Sequence, residues 1–241
     1  MSKFSINKQF VRNITIILAA LCCLILISLA INNNIKTDDK EVLLPTPYTS
    51  WETFNEDMII LDIFIPQLEI DLIYAGDDNV YGEKIYDLNL ALLRRGTARK
   101  LQKAQEEFAL EGYTLKIWDA YRPPEAQYKL WEIMPDARYV VNPYKGYSFH
   151  SRGIAVDVTL VDKNGKELPM PSSFDDFTAY ADRDYSDVGE TEAANARLLE
   201  KVMCKHGFRS IYYEWWHFVD PDGENYPAVT RAELPLLVRI Y

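Results

Sequence analysis

Ile211-Tyr212-Tyr213-Glu214-Trp215-Trp216-His217-Phe218-Val219-Asp220 is the stretch around which the rest of this sequence can be read. Its β-branched and aromatic content is that of a strand. Yet it holds an ionisable pair, Glu214 and His217, in a chain with only 3 histidines among 241 residues. A core strand does not ordinarily choose Glu and His, and a solvated loop does not choose two tryptophans. Apolar bulk around ionisable groups shifts their pKa values and keeps water from a reacting site. On a regular strand residues 214 and 217 face opposite sides, so joint action requires a bend or bulge here.

Partners for this pair lie upstream. His150 ends a loop rich in aromatic residues, and Asp157 sits in the apolar run Ile154-Ala155-Val156-Asp157-Val158. A carboxylate on that background is costly unless it is paired or binds a metal. The plain alternatives are a salt bridge for Asp157 and a hydrogen-bonded structural imidazole for His150. Together, His150, Asp157 and His217 supply two imidazoles and one carboxylate. Three protein ligands with one open position is the pattern of a catalytic zinc, whereas structural zinc sites are closed and mostly thiolate. Glu214, three residues from a ligand, is then placed to take a proton from a water at the open position. Arg122, in the Pro-locked turn Asp119-Ala120-Tyr121-Arg122-Pro123-Pro124, is a candidate oxyanion stabiliser. Its ordinary alternative is a pairing with Asp119. His206 precedes Gly207 at an expected helix C-terminus and reads as structural or solvated.

The flanking segments suit an α+β domain with a mainly antiparallel sheet. Leu93, Leu101, Ala104 and Phe108 fall at helical spacing, with Gly112 as the stop. Residues 113–118 read as a strand, Pro124 opens a helix to about Met134, and residues 153–162 read as a second strand closed by a turn at 163–166. Residues 191–206 form a helix pattern, with Thr191 as N-cap, Glu192 in the first turn and Ala194, Leu198 and Val202 on one face. A strand over 208–213 leads back into the opening stretch.

The N-terminus is of another kind. Lys3, Lys8 and Arg12 precede an uncharged apolar run, Ile14–Ile31. This is the order of a secretory signal or of a short membrane anchor, with cleavage after Ala30 open. Cys22 and Cys23 raise a lipoprotein reading, but Leu21 fits the required small residue poorly. Residues 1–31 are thus a signal peptide or anchor, 32–50 a linker and 51–241 the catalytic domain. The basic flank places that domain outside the cytoplasm, membrane-anchored or secreted. The whole chain carries −10. Its first 31 residues hold three basic and no acidic side chains, so the remainder is near −13 and a poor partner for nucleic acid. Cys204 is the one cysteine outside the apolar run, so the domain has no internal disulfide.

Ser148–Leu160 (SFHSRGIAVDVTL), Tyr213–Val219 (YEWWHFV) and Trp118–Gln127 (WDAYRPPEAQ) resemble the VanX-like zinc D-alanyl-D-alanine dipeptidases. These are members of a group that also includes D,D-carboxypeptidases and cell-wall endopeptidases. The resemblance runs from about Asp71 to Pro227, and the His-Ser-Arg-Gly and Glu-Trp-Trp-His strings belong to the dipeptidase branch. It implies that His150, Asp157 and His217 bind one zinc ion, that Glu214 is general base and acid, and that Arg122 stabilises the transition state. It further implies that Ser148 sits near the carboxylate of a bound dipeptide and Asp175 near its ammonium. Both are also ordinary turn residues, and Asp176 is equally acidic. The departure is the N-terminal segment, since several dipeptidases of this type lack one. It keeps open a D,D-carboxypeptidase or endopeptidase acting on wall peptides, and a non-catalytic zinc-containing surface domain. Retention of Glu214 with Arg122 speaks against the last.

Overall fold

The computed structural model describes residues 55–239, so the N-terminal apolar segment and the linker lie outside the described residues. Among the described residues no helix is long and apolar enough to cross a membrane.

The central element is β5 (Ala155–Val161), in which all seven residues are buried. It pairs antiparallel with β4 (Thr114–Asp119) on one side and β7 (Glu214–Val219) on the other. β2 (Glu69–Ile70) and β6 (Arg209–Ile211) complete a five-stranded sheet of order β2-β4-β5-β7-β6. Its three antiparallel pairings agree with the sequence reading, while β2 runs parallel to β4. The sheet is therefore mixed. A second sheet, β3-β1-β8, joins β1 (Met58–Ile60), β3 (Leu92–Arg94) and β8 (Val238–Arg239), with β1 and β8 parallel. A short helix, α1 (Leu61–Phe64), follows β1.

Two sixteen-residue helices, α2 (Arg95–Leu110) and α4 (Glu190–Lys205), pack against each other and against the main sheet. Their buried faces follow the helical period: Ala98, Leu101, Ala104 and Phe108 on α2, and Ala193, Ala196, Leu199 and Val202 on α4. The α4 face is thus offset from the expected one, and Ala194 is exposed. Thr191 is not the N-cap. Gly189 holds that position, and Glu190 and Glu192 place negative charge at the helix N-terminus. Leu93 belongs to β3 and not to the helix, because pairing with Ile59 overrides its helical spacing. Helix α3 (Pro124–Ile133) starts at the expected proline, and α5 (Leu234–Leu237) precedes β8.

Val156, Val158 and Leu160 join the helix-covered core. By strand alternation Asp157 turns to the other face. The 3-10 turn His150–Arg152 enters β5 through Gly153 at φ 73°, in the left-handed region. A Cβ there would also stand 2.8 Å from the Met58 sulfur. Gly153→Ala is expected to cost at least about 1–2 kcal/mol, lowering the melting temperature by several degrees for a domain of this size. A thermal melt that is unchanged would refute this account of the turn.

Candidate active site

Three strand features bring the polar residues together. Asp157 on β5 stands directly opposite His217 on β7 and Asp119 on β4. A register shift between Ile117 and Asp119 places Asp119 in that row. The second shift, between Ser210 and Ile211, is larger. Ser210 pairs with Phe218 and Ile211 with Glu214, so one step along β6 spans four along β7. This is the bulge expected from the sequence, and it brings Glu214 and His217 to one cavity.

The cavity, about 160 Å³, is lined by Arg122, Ser148, His150, Asp157, Asp175, Glu214 and His217. Every site residue expected from the sequence is therefore present in one place. His206 lies elsewhere, with Nε2 2.7 Å from Glu107 Oε2. Trp216 lines the cavity, whereas Trp215 turns into the core and donates from Nε1 to Ser172 Oγ at 3.0 Å. Only one of the two tryptophans closes the site.

His150, Asp157 and His217 each offer a donor atom, all within 4.8 Å of one another. His150 Nδ1 donates to Ala120 O at 2.7 Å, which leaves Nε2 as the lone-pair nitrogen facing the cluster. Nε2 is 3.2 Å from His217 Nδ1 and 3.4 Å from Asp157 Oδ2, and His217 Nδ1 is 2.8 Å from Asp157 Oδ1. Tetrahedral ligand bonds of about 2.0–2.1 Å place donor atoms roughly 3.3 Å apart. The donor set and its spacing fit a metal ion. Burial would raise the Asp157 pKa, but the imidazoles of His150 and His217 hold it well below the usual carboxylate range. Burial pushes His217 down. It pushes His150 down too, but there the Asp157 and Asp119 carboxylates outweigh it and raise the pKa.

Glu214 is buried, with Oε2 3.7 Å from His217 Nδ1. Its pKa is raised well above the carboxylate range, first by burial and then by the charges of Asp157 and Asp175. Asp175 is pushed up to about 7, chiefly by burial. It adopts φ 56°, uncommon for a residue with a side chain, and accepts a 2.7 Å hydrogen bond from Tyr74 Oη. Asp176, its acidic neighbour, instead caps the following turn by accepting from Thr178 N. Ser148 Oγ accepts from His150 N at 3.2 Å.

Arg122 makes the pairing with Asp119 that is its ordinary reading, and it also borders the cavity. Its Nε and Nη2 donate to Asp119 Oδ2 at 2.8 and 2.6 Å, while Nη2 lies 3.7 Å from Asp157 Oδ2 and the side chain borders the cavity. Burial works against its charge, but Asp119, Tyr74 and Asp157 overcompensate and hold it firmly protonated. Two tyrosines that carry no motif complete this arrangement. Tyr74 lies under the guanidinium, 4.8 Å from it, and Tyr86 Oη donates to Asp119 Oδ1 at 2.8 Å. Their only sequence signal is their position within or just beyond Asp71–Gly82, where the family resemblance begins but no motif points to chemistry.

The family model described as D-ala-D-ala dipeptidase matches residues 55–232. The chain belongs to this family. It is 39% identical over 173 residues to a D-alanyl-D-alanine dipeptidase of Escherichia coli (strain K12), covering 72% of this chain and 89% of that protein. A dipeptidase of the same name from Enterococcus faecalis (strain ATCC 700802 / V583) is 33% identical over 189 residues, covering 70% and 93%. One from Enterococcus faecium is 34% identical over 187 residues, covering 69% and 92%. Among solved structures, the LD-carboxypeptidase LdcB aligns over 76% of this chain and 78% of its own at 19% identity, with a TM-score of 0.39. Family membership makes the protein a peptidase of the hydrolase class.

If the three-donor cluster is the metal site, His150→Ala and His217→Ala each lose bound divalent metal on dialysis, by tenfold or more in affinity. His206→Ala is the control and keeps it. Elemental analysis of the dialysed proteins decides, and equal metal content in all three variants would remove the assignment.

Proposed function

We propose that this protein is a zinc-dependent dipeptidase that hydrolyses D-alanyl-D-alanine in cell-wall metabolism. The observation that carries the reading is the cavity itself, which joins a three-donor metal site to a buried carboxyl, a fixed guanidinium and a second carboxylate. The dipeptidase relatives support the substrate.

His150 Nε2, Asp157 and His217 Nδ1 would hold a single zinc ion. Zinc supplies a Lewis acid for the peptide carbonyl and brings the acidity of a water near neutrality. Glu214 accepts a proton from the attacking water and delivers it to the departing amine. A carboxyl whose pKa is raised by burial suits both halves of that task. Arg122 stabilises the charge that develops on the carbonyl oxygen, and the salt bridge to Asp119 orients its fork beforehand. Asp175, steadied by Tyr74, receives the substrate's ammonium, and Ser148 lies toward its carboxylate. A site with a buried carboxylate for the ammonium rejects N-blocked peptides, which would leave that charge unpaired. This favours the free dipeptide over a wall-peptide carboxypeptidase reading, which the N-terminal apolar segment would otherwise encourage. That segment supports a location outside the cytoplasm, membrane-anchored or secreted, and fractionation of expressing cells tests it.

Glu214→Ala is expected to keep zinc and lose turnover by at least about 100-fold, within the range for a general acid–base group. Near-normal hydrolysis by the zinc-loaded variant would sink the mechanism. The role of Asp175 gives a pH dependence. Its carboxyl becomes neutral as pH falls through about 7, and it then ceases to attract the ammonium. Hence kcat/KM for free D-Ala-D-Ala should fall below about pH 7, and Asp175→Asn should shift that limb, leaving the part due to Glu214, and lose roughly 10- to 100-fold in kcat/KM. Steady-state profiles of free and N-acylated D-Ala-D-Ala decide. An acid limb that persists unchanged in the variant, or faster cleavage of the acylated peptide, would remove Asp175 from this role.

A further inference from the structure

Arg183 lies in neither sheet, between the 3-10 turn Ala179–Ala181 and α4, yet it is bonded to nearly the whole β6–β7 irregularity. Its backbone N–H donates to Tyr212 O at 3.0 Å and its Nε to Ile211 O at 2.7 Å. Its Nη2 faces three carbonyls of β7: Glu214 O at 3.2 Å, Trp215 O at 2.9 Å and His217 O at 3.3 Å. Nη1 is 3.3 Å from Tyr185 Oη and 3.5 Å from Glu200 Oε1, and the guanidinium carbon stands 4.9 Å over the Phe218 ring. The side chain is 7% exposed.

A bulge removes carbonyls from the ladder, and buried carbonyls need partners. Here Ile211 pairs with Glu214 and Ser210 with Phe218, so the residues between have no regular partners on β6. The planar, rigid fork of an arginine meets several such carbonyls at once. An ammonium is a compact point donor on a flexible stem and cannot span them. The carbonyls gathered at one nitrogen belong to the residue proposed as base, Glu214, and the residue proposed as metal ligand, His217. Their backbones are therefore held in a fixed relation by a group that does not line the cavity.

We propose that Arg183 is a positioning residue that fixes Glu214 relative to His217 by clamping the carbonyls of the β7 bulge. This rests on the roles given to those two residues above. Ser148 and Asp175 lie off the bulge, so the clamp should act on kcat more than on KM.

The test compares the full chain with Arg183→Ala and Arg183→Lys, all zinc-loaded. The expected result for both variants is a 10- to 100-fold fall in kcat on D-Ala-D-Ala, with KM within about twofold. Zinc retention against a chelator should weaken about tenfold. Guanidinium ion at low millimolar concentration should restore part of both in Arg183→Ala. Unchanged kcat and zinc retention would overturn the proposal. So would full activity in Arg183→Lys, which would reduce the role to charge, or a loss in Arg183→Ala that guanidinium cannot restore, which would mark a general folding role. The near-ultraviolet circular dichroism of Trp215 and Trp216, with the chelator competition, reads the clamp without turnover. A wild-type protein inactive on the dipeptide would thus refute the substrate while leaving Arg183 testable.

Discussion

Four carboxyl groups, Asp119, Asp157, Asp175 and Glu214, are buried in or beneath one cavity, and their shared burial is the constraint to which the rest of the site answers. Withdrawal from water raises the pKa of Glu214 and Asp175, and the neighbouring carboxylates add to it. Asp157 escapes it, because the imidazoles of His150 and His217 hold its pKa low. Asp119, beside it, accepts from Arg122, from Tyr86 Oη and from Ala120 N. One guanidinium does not balance four acids. A divalent ion at the imidazole pair and an ammonium at Asp175 would, and the proposed chemistry supplies both.

Bulges are how a sheet with a fully buried central strand reaches this arrangement. A regular ladder would alternate the polar groups between faces and drive half of them into the core beneath α2 and α4. The shift at Asp119 and the larger one before Glu214 bring side chains from three adjacent strands to the same side. The displaced carbonyls then need donors. Arg183 provides them on β7, and a related device recurs away from the site. Arg94 donates to the carbonyls of Glu56, Arg152 and Pro227, and Arg152 to those of Glu224 and Tyr226. Buried arginines here act as clips for irregular backbone as much as charges.

The sequence made the site more legible than the fold around it. Asp157 within an apolar run, and Glu214 with His217 between tryptophans, violate the local rules that strands follow. Such violations mark functional positions because each carries a cost that something else must offset. The three-residue spacing of Glu214 and His217 likewise implies a bulge from strand alternation alone. Local rules fail where the deciding contact is distant. Thr191 has the right chemistry for an N-cap, but the chain enters α4 earlier, at Gly189. Leu93 has helical spacing, but its partner is Ile59 on another strand. Tyr74 and Arg183 break no local rule, so nothing in their neighbourhoods marks them. Their roles arise from Asp175 and from the β7 carbonyls, 101 and about 30 residues away.

The Arg122–Asp119 pair shows why a structural reading and a catalytic one need not compete. Two donors to one carboxylate oxygen, with the Tyr74 ring beneath, leave the guanidinium little freedom. A loose arginine in a cavity this acidic would collapse onto Asp157 or Glu214 and be spent there. Held by Asp119, which is itself held by Tyr86 and by Ala120 N, it stays at the cavity wall. Preorganisation of this kind is what makes a hydrogen-bond donor count in the transition state, because no reorientation remains to be done. The pairing that sequence spacing offered as the ordinary explanation for Arg122 would thus be the condition for the role proposed for it.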